Sequence, residues 1–137
     1  MEGDNIAVLL SKIGQLLAED INYPLEGTLL HARVDRRMVG PSIFKDMGDH
    51  IVYRDPDLRR LGDCLLDLWE AFEPQKRWAQ MEYVIRDGRF DVKFIYPNEV
   101  PKNEYWNDTR EEMLKRHFGD KPVVYPPLSD DDDNYTL

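Results

Sequence analysis

One cysteine stands among 137 residues, and that scarcity removes two chemistries at once. Cys64 has no second thiol for an internal disulfide, and a zinc site built on cysteine needs several. A lone thiol suits a reducing compartment. Histidine is almost as scarce: His31, His50 and His117 stand far apart, with no H-E-x-x-H or comparable ligand spacing, so no metal site is expected. Positive charge is in deficit, with 18 Lys and Arg against 27 Asp and Glu, a net charge of -9 and a pI near 4.8. Nucleic acid and anionic membranes repel such a chain, because phosphate binding requires concentrated cations. The densest basic groups, Arg33 with Arg36-Arg37 and Arg59-Arg60, are small and flanked by acids. Long apolar runs are also missing. The stretch after Asn5 is interrupted by Ser11, Lys12, Gly14 and Gln15, so neither a signal peptide nor a membrane span is expected, and a cytoplasmic location follows as the expectation.

Reactive-group patterns are missing as well. Ser11, Ser42 and Ser129 have no G-x-S-x-G context, and "MVGPS" has neither the glycine spacing nor the lysine of a phosphate loop. Cys64 lacks a basic neighbour to lower its pKa and reads as a small buried hydrophobe. The run Asp130 to Asp133 has acids but not the alternating ligands, glycine and terminal glutamate of a calcium loop. No catalytic set and no cofactor are expected.

What is present is a pattern of short elements. Ile6, Leu9, Leu10, Ile13, Leu16 and Leu17 recur at helical spacing after Asp4-Asn5. Two extended runs, Thr28 to Val34 and Ser42 to Lys45, flank Val39-Gly40-Pro41, which reads as a turn. A third short strand is expected at Ile51 to Tyr53. In "RDPDLRRLGDCLLDLWEAFEP", Asp55 reads as an N-cap, Pro56 as the first helical position and Leu58, Leu61, Leu65, Leu68 and Phe72 as one face; Pro74 ends the helix. A last helix is predicted from about Asp108 to Phe118, with a capping box from Asp108 to Glu111 and Gly119 as C-terminal cap. Residues 1–126 form one domain in this reading. Residues 127–137 form an acidic tail, and the proline-rich segment leading to it is expected to add nothing to the core. The fold class is α+β: an antiparallel sheet of four to five strands, with helices packed on one face.

"WAQMEYVIRDGRFDVKFIYP", from Trp78 to Pro97, alternates apolar and polar residues on both sides of Asp87-Gly88, a strong hairpin signal. A two-residue turn sets Arg86 opposite Arg89, and it sets Ile85 opposite Phe90, Tyr83 opposite Val92 and Met81 opposite Phe94, apolar pairs that share one face. Glu82 then opposes Lys93, and Val84 opposes Asp91, on the other. Glu82 and Asp91 are the nearest approach to a carboxylate pair, and with a histidine they would define a cryptic hydrolase. Their diagonal offset, with Lys93 beside them, favours a cross-strand ion pair of about 0.2–1 kcal/mol instead.

The order of these elements, with "LGDCLLDLWEAF", a tryptophan-started hairpin ending "GRFDVKFIYPNEV" and a helix ending "LKRHFGDKPVVYP", resembles the YezG/EsaG-like immunity proteins of bacterial polymorphic toxin systems. The similarity spans roughly Leu9 to Pro126. It implies a cytoplasmic antitoxin that binds the toxic C-terminal domain of a secreted or contact-delivered effector, in several relatives a nuclease. An acidic inhibitor complements a basic, phosphate-holding nuclease surface. Candidate toxin contacts are acids and aromatics in loops: Asp46, Asp49, Glu99, Glu104, Tyr105, Trp106 and Asp108. The alternative of a different class is a non-enzymatic adaptor or regulatory module that binds a host protein.

Overall fold

The computed structural model describes residues 2–100 and 106–125, with side chains over 5–100 and 110–125. Three helices and six strands are described: α1 (Glu2–Leu17), β1 (Thr28–Asp35), β2 (Met38–Asp46), β3 (Ile51–Arg54), α2 (Arg60–Glu70), β4 (Gln80–Arg86), β5 (Arg89–Ile95), α3 (Trp106–Phe118) and β6 (Val123–Val124). The sheet order is β5-β4-β1-β2-β3-β6. The class is α+β, as expected.

The hairpin β4–β5 forms in the expected register, from Arg86↔Arg89 to Met81↔Phe94. Asp87 and Gly88 both adopt positive φ, 57° and 74°, which matches the twist of the flanking strands. The turn between β1 and β2 is different from the expectation. It lies at Arg36-Arg37, with φ of 52° and 63°, while Gly40 and Pro41 belong to β2 and oppose Arg33 and Ala32. Two arginines carry no local signal for a left-handed turn, whereas Gly-Pro carries a strong one for a break. Pro41 is tolerated because β3 pairs only with Ile43 to Asp46, leaving that part of β2 unpaired on its outer side.

Alternation assigns each strand residue to a face. Leu30, Ala32, Val34, Ile43, Met81, Tyr83 and Ile85 pack with α1 and α2, where Ile13, Leu17, Leu61, Leu65 and Leu68 supply the other half of the core. Leu29, Phe44, Ile51 and Val84 point to the opposite face and meet Met113, Leu114 and Phe118 of α3. Helices therefore cover both faces, not one. Both faces of β4 are buried for this reason, although its sequence alternates like a half-exposed strand.

Two further corrections concern element ends. The α2 segment starts later than expected: Asp57, not Asp55, accepts the N–H of Arg60 at 3.0 Å, and Leu58 is 66% exposed. The α3 helix begins at Trp106, so Asp108 stands within its first turn rather than at the residue before it. Gly119 terminates α3 at φ 78°, donating to the Lys115 carbonyl. The segment after α3 does extend the sheet, contrary to expectation. Val123 and Val124 pair in parallel with Ile51 and Val52, and Val123 packs on the α3-side core. The expected acidic tail, 127–137, lies outside the described residues.

Gly14 lies at a close approach. A β-carbon there would meet the Tyr83 hydroxyl at 2.8 Å, and that hydroxyl is itself held by donating to the Leu10 carbonyl at 2.8 Å. Glycine to alanine inside a helix ordinarily gains up to about 1 kcal/mol. Gly14→Ala is expected to reverse that sign and lose about 1–3 kcal/mol, because a backbone-anchored group must move. Urea denaturation checks this; a stabilised variant would show that α1 shifts freely on the sheet.

Candidate functional site

A row of polar side chains crosses the α3 face of the sheet. Register places Ser42 beside His31, His31 beside Glu82, and Glu82 beside Lys93. Serine, histidine and carboxylate side by side are the residue types of a nucleophilic triad, but their bonds run elsewhere. His31 Nε2 pairs with Gln80 Oε1 at 3.1 Å, and burial lowers the His31 pKa. The Glu82 carboxylate, its side chain 2% exposed, accepts from Arg116 at 3.2 and 3.0 Å and from His117 Nε2 at 2.7 Å. The expected Glu82–Lys93 ion pair is replaced by this one, because α3 covers the face that was read as open. Burial pushes the Glu82 pKa up, but the hydrogen bonds and charges of His117 and Arg116 outweigh it and hold the carboxyl at about 2. Glu82 thus clamps α3 to β4. Asp91, the other carboxylate of the cryptic-hydrolase reading, is exposed on β5. Cys64 is buried, its thiol pKa raised by desolvation. Among the described residues no group of three or more His, Cys, Asp or Glu is placed to hold a metal ion.

Acids, most of them exposed, are gathered at one end of the sheet, where three connections and the end of α3 converge. The loop after α1 brings Glu26, the β2–β3 turn brings Asp46 and Asp49, the hairpin turn brings Asp87, and the chain leaving α3 brings Asp120. Each connection is braced. Glu26 accepts from the N–H of Asp87 at 2.6 Å and of Gly88 at 3.4 Å, tying loop to turn. The loop is held from behind by Lys45, a buried lysine that donates to Thr28 Oγ1 at 2.7 Å and the Pro24 carbonyl at 3.1 Å. Asp46 accepts from Lys121 at 2.8 and 3.0 Å and from the Gly48 N–H at 3.0 Å. Arg86 Nη2 donates to the His117 carbonyl at 2.6 Å. Asp49 and Asp120 remain 91% and 87% exposed, and Asp87 is exposed between them in sequence.

The structure therefore separates the sequence candidates. Asp46 and Asp49 share the acidic end, but Asp46 is neutralised by Lys121, and Asp49 contacts His50. Glu99 sits at the opposite end of the hairpin and accepts from the Tyr96 N–H at 3.0 Å, capping the turn Pro97–Glu99. Glu104 and Tyr105 lie outside the described residues; Trp106 and Asp108 are placed only by backbone, in the first turn of α3. Glu26, Asp87 and Asp120 were not among the candidates. Asp87 was visible only as a turn former, and nothing near Glu26 or Asp120 in sequence signals that they meet other loops.

No described helix is long and apolar enough to cross a membrane. Compared with protein-family models and with curated proteins, the chain gives no match.

Proposed function

We propose that this chain is an immunity-type inhibitor that binds the toxic domain of a cognate bacterial polymorphic toxin, a basic nuclease domain, through protein–protein contact. The observation that carries the reading is the braced acidic end, where Asp49, Asp87 and Asp120 project from short loops whose other polar groups are tied to the fold. Fixed carboxylates of this kind resemble substrate phosphates in charge and lose little freedom on binding. The net charge of -9 accelerates encounter with a cationic surface. The sequence resemblance supports the same reading independently of the geometry.

Co-expression tests it. The protein should co-purify with the toxic domain encoded beside its gene and restore growth, and absence of binding to any neighbouring toxin domain would sink the proposal. With the complex in hand, the association rate should fall as salt rises. Asp49→Lys with Asp120→Lys should lower that rate by about tenfold or more and flatten its salt dependence. A salt-independent rate, unchanged by the double variant, would place the contact elsewhere on the surface.

A further inference from the structure

Strand β5 closes one side of the sheet, and among the described residues no further strand pairs with its outer edge. In a two-residue hairpin the pair next to the turn, Arg86 and Arg89, is the hydrogen-bonded one. Arg89, Asp91 and Lys93 therefore direct their N–H and C=O groups toward β4, while those of Phe90, Val92 and Phe94 point outward. The side chains divide as well. Phe90, Val92 and Phe94 share the α1/α2 face with Ile85, Tyr83 and Met81, and Asp91 and Lys93 share the α3 face with Val84 and Glu82.

We propose that β5 pairs antiparallel with β5 of a second copy of this chain, Val92 facing Val92, so that one sheet runs through both molecules. This register overlays residues 89–95 on themselves. All three outward backbone pairs are then formed: Val92 with Val92, and Phe90 with Phe94 twice. On the apolar face the aromatic rings meet across the edge, extending the Phe90–Tyr83 stack at 4.9 Å and the Phe94–Trp78 contact at 5.6 Å. On the other face Asp91 of each copy lies opposite Lys93 of the other.

Neighbouring registers are worse. Centring on Asp91 sets two aspartates face to face and Arg89 against Lys93, both like-charge pairs. Centring on Phe90 keeps Arg89 opposite Asp91 but sets the turn residues Asp87 and Gly88 against strand and overlays only residues 89–91. Charge and the length of strand overlapped together favour the Val92-centred register over these two. Although the molecule is acidic, this strand itself carries two cations, Arg89 and Lys93, against the one acid Asp91. Charged edge strands usually deter pairing; here the signs alternate so that a second copy satisfies them. The pairing stands independently of the inhibitor reading.

Sedimentation across micromolar to near-millimolar concentration tests the pairing in the full chain. A species of twice the 16.2 kDa chain mass is expected. Asp91→Lys, which opposes Lys93 with a like charge, should weaken the dimer at least tenfold. Val92→Pro should abolish it, since it deletes an outward N–H that β4 does not use, and circular dichroism should show both variants folded. Val92→Cys should form an interchain disulfide on mild oxidation, because facing hydrogen-bonded residues lie about 5.5 Å apart between α-carbons. Cys64 is buried and does not compete. A single monomeric species throughout, or a dimer unaffected by both Asp91→Lys and Val92→Pro, would overturn the proposal.

Discussion

Glu82→Ala is expected to cost about 3 kcal/mol, the low end of what breaking a buried ion pair costs, because Arg116 is half exposed and regains water when its partner is lost. His117, only 19% exposed, keeps part of the penalty. The same magnitude follows from proton linkage. The carboxyl titrates at about 2 in the folded chain against 4.5 for a free glutamate, and each unit corresponds to about 1.4 kcal/mol, giving about 3 kcal/mol. The sign follows from the lowered pKa: the contribution is fully present above pH 4.5 and is lost as pH falls from 4.5 toward 2. Glu82→Gln should therefore unfold at a temperature about 10 °C below the parent at pH 7. The gap should shrink steadily below pH 4.5 as the parent carboxyl itself protonates. A gap that stays constant from pH 6 to pH 3 would show that Glu82 is not held ionised by Arg116 and His117.

Trp78→Ala carries the second large expectation, a loss of about 3–5 kcal/mol. Trp78 is 1% exposed and stands 5.6 Å from the Phe94 ring, which meets Phe72 at 5.2 Å, so it closes the core where the hairpin begins and α2 ends. Its carbonyl accepts the Trp69 indole N–H at 2.9 Å, a bond that side-chain truncation spares. Its own indole Nε1 is buried with no hydrogen-bond partner among the described residues. Trp78→Phe removes that orphan donor while keeping most of the ring, and should cost under about 2 kcal/mol. Chemical denaturation of the two variants separates cavity from polar effects. Equal losses would show that the indole nitrogen is satisfied after all.

The parts legible in sequence were those decided by neighbours along the chain. Asp87-Gly88 between two alternating runs yields turn, register and face together, because strand periodicity is two and a two-residue loop permits one pairing. The stripe of Leu61, Leu65 and Leu68 identified α2 in the same way, and Gly119 the end of α3. Local signals failed where two of them competed. Gly40-Pro41 looked like the turn, yet a proline on an unpaired strand margin costs little, and Arg36-Arg37 took the left-handed positions instead. Asp55 and Asp108 were plausible caps, but α2 began only at Arg60 and α3 already at Trp106.

Composition and periodicity alone thus determined the α+β class, the hairpin, the main helix and the exclusion of disulfide and cysteine-zinc chemistry. Only the tertiary structure decided that α3 covers the second sheet face, and with it that Glu82 is a buried clamp for α3 where a surface partner of Lys93 was expected. The same holds for the acidic end: Asp49, Asp87 and Asp120 come from connections far apart in the chain and share a surface because those connections return to one end of the sheet. The physical reason is common to both. Which side of an alternating strand is wet, and which loops adjoin, depend on packing between elements distant in sequence, and side-chain period carries no information about what settles on either face.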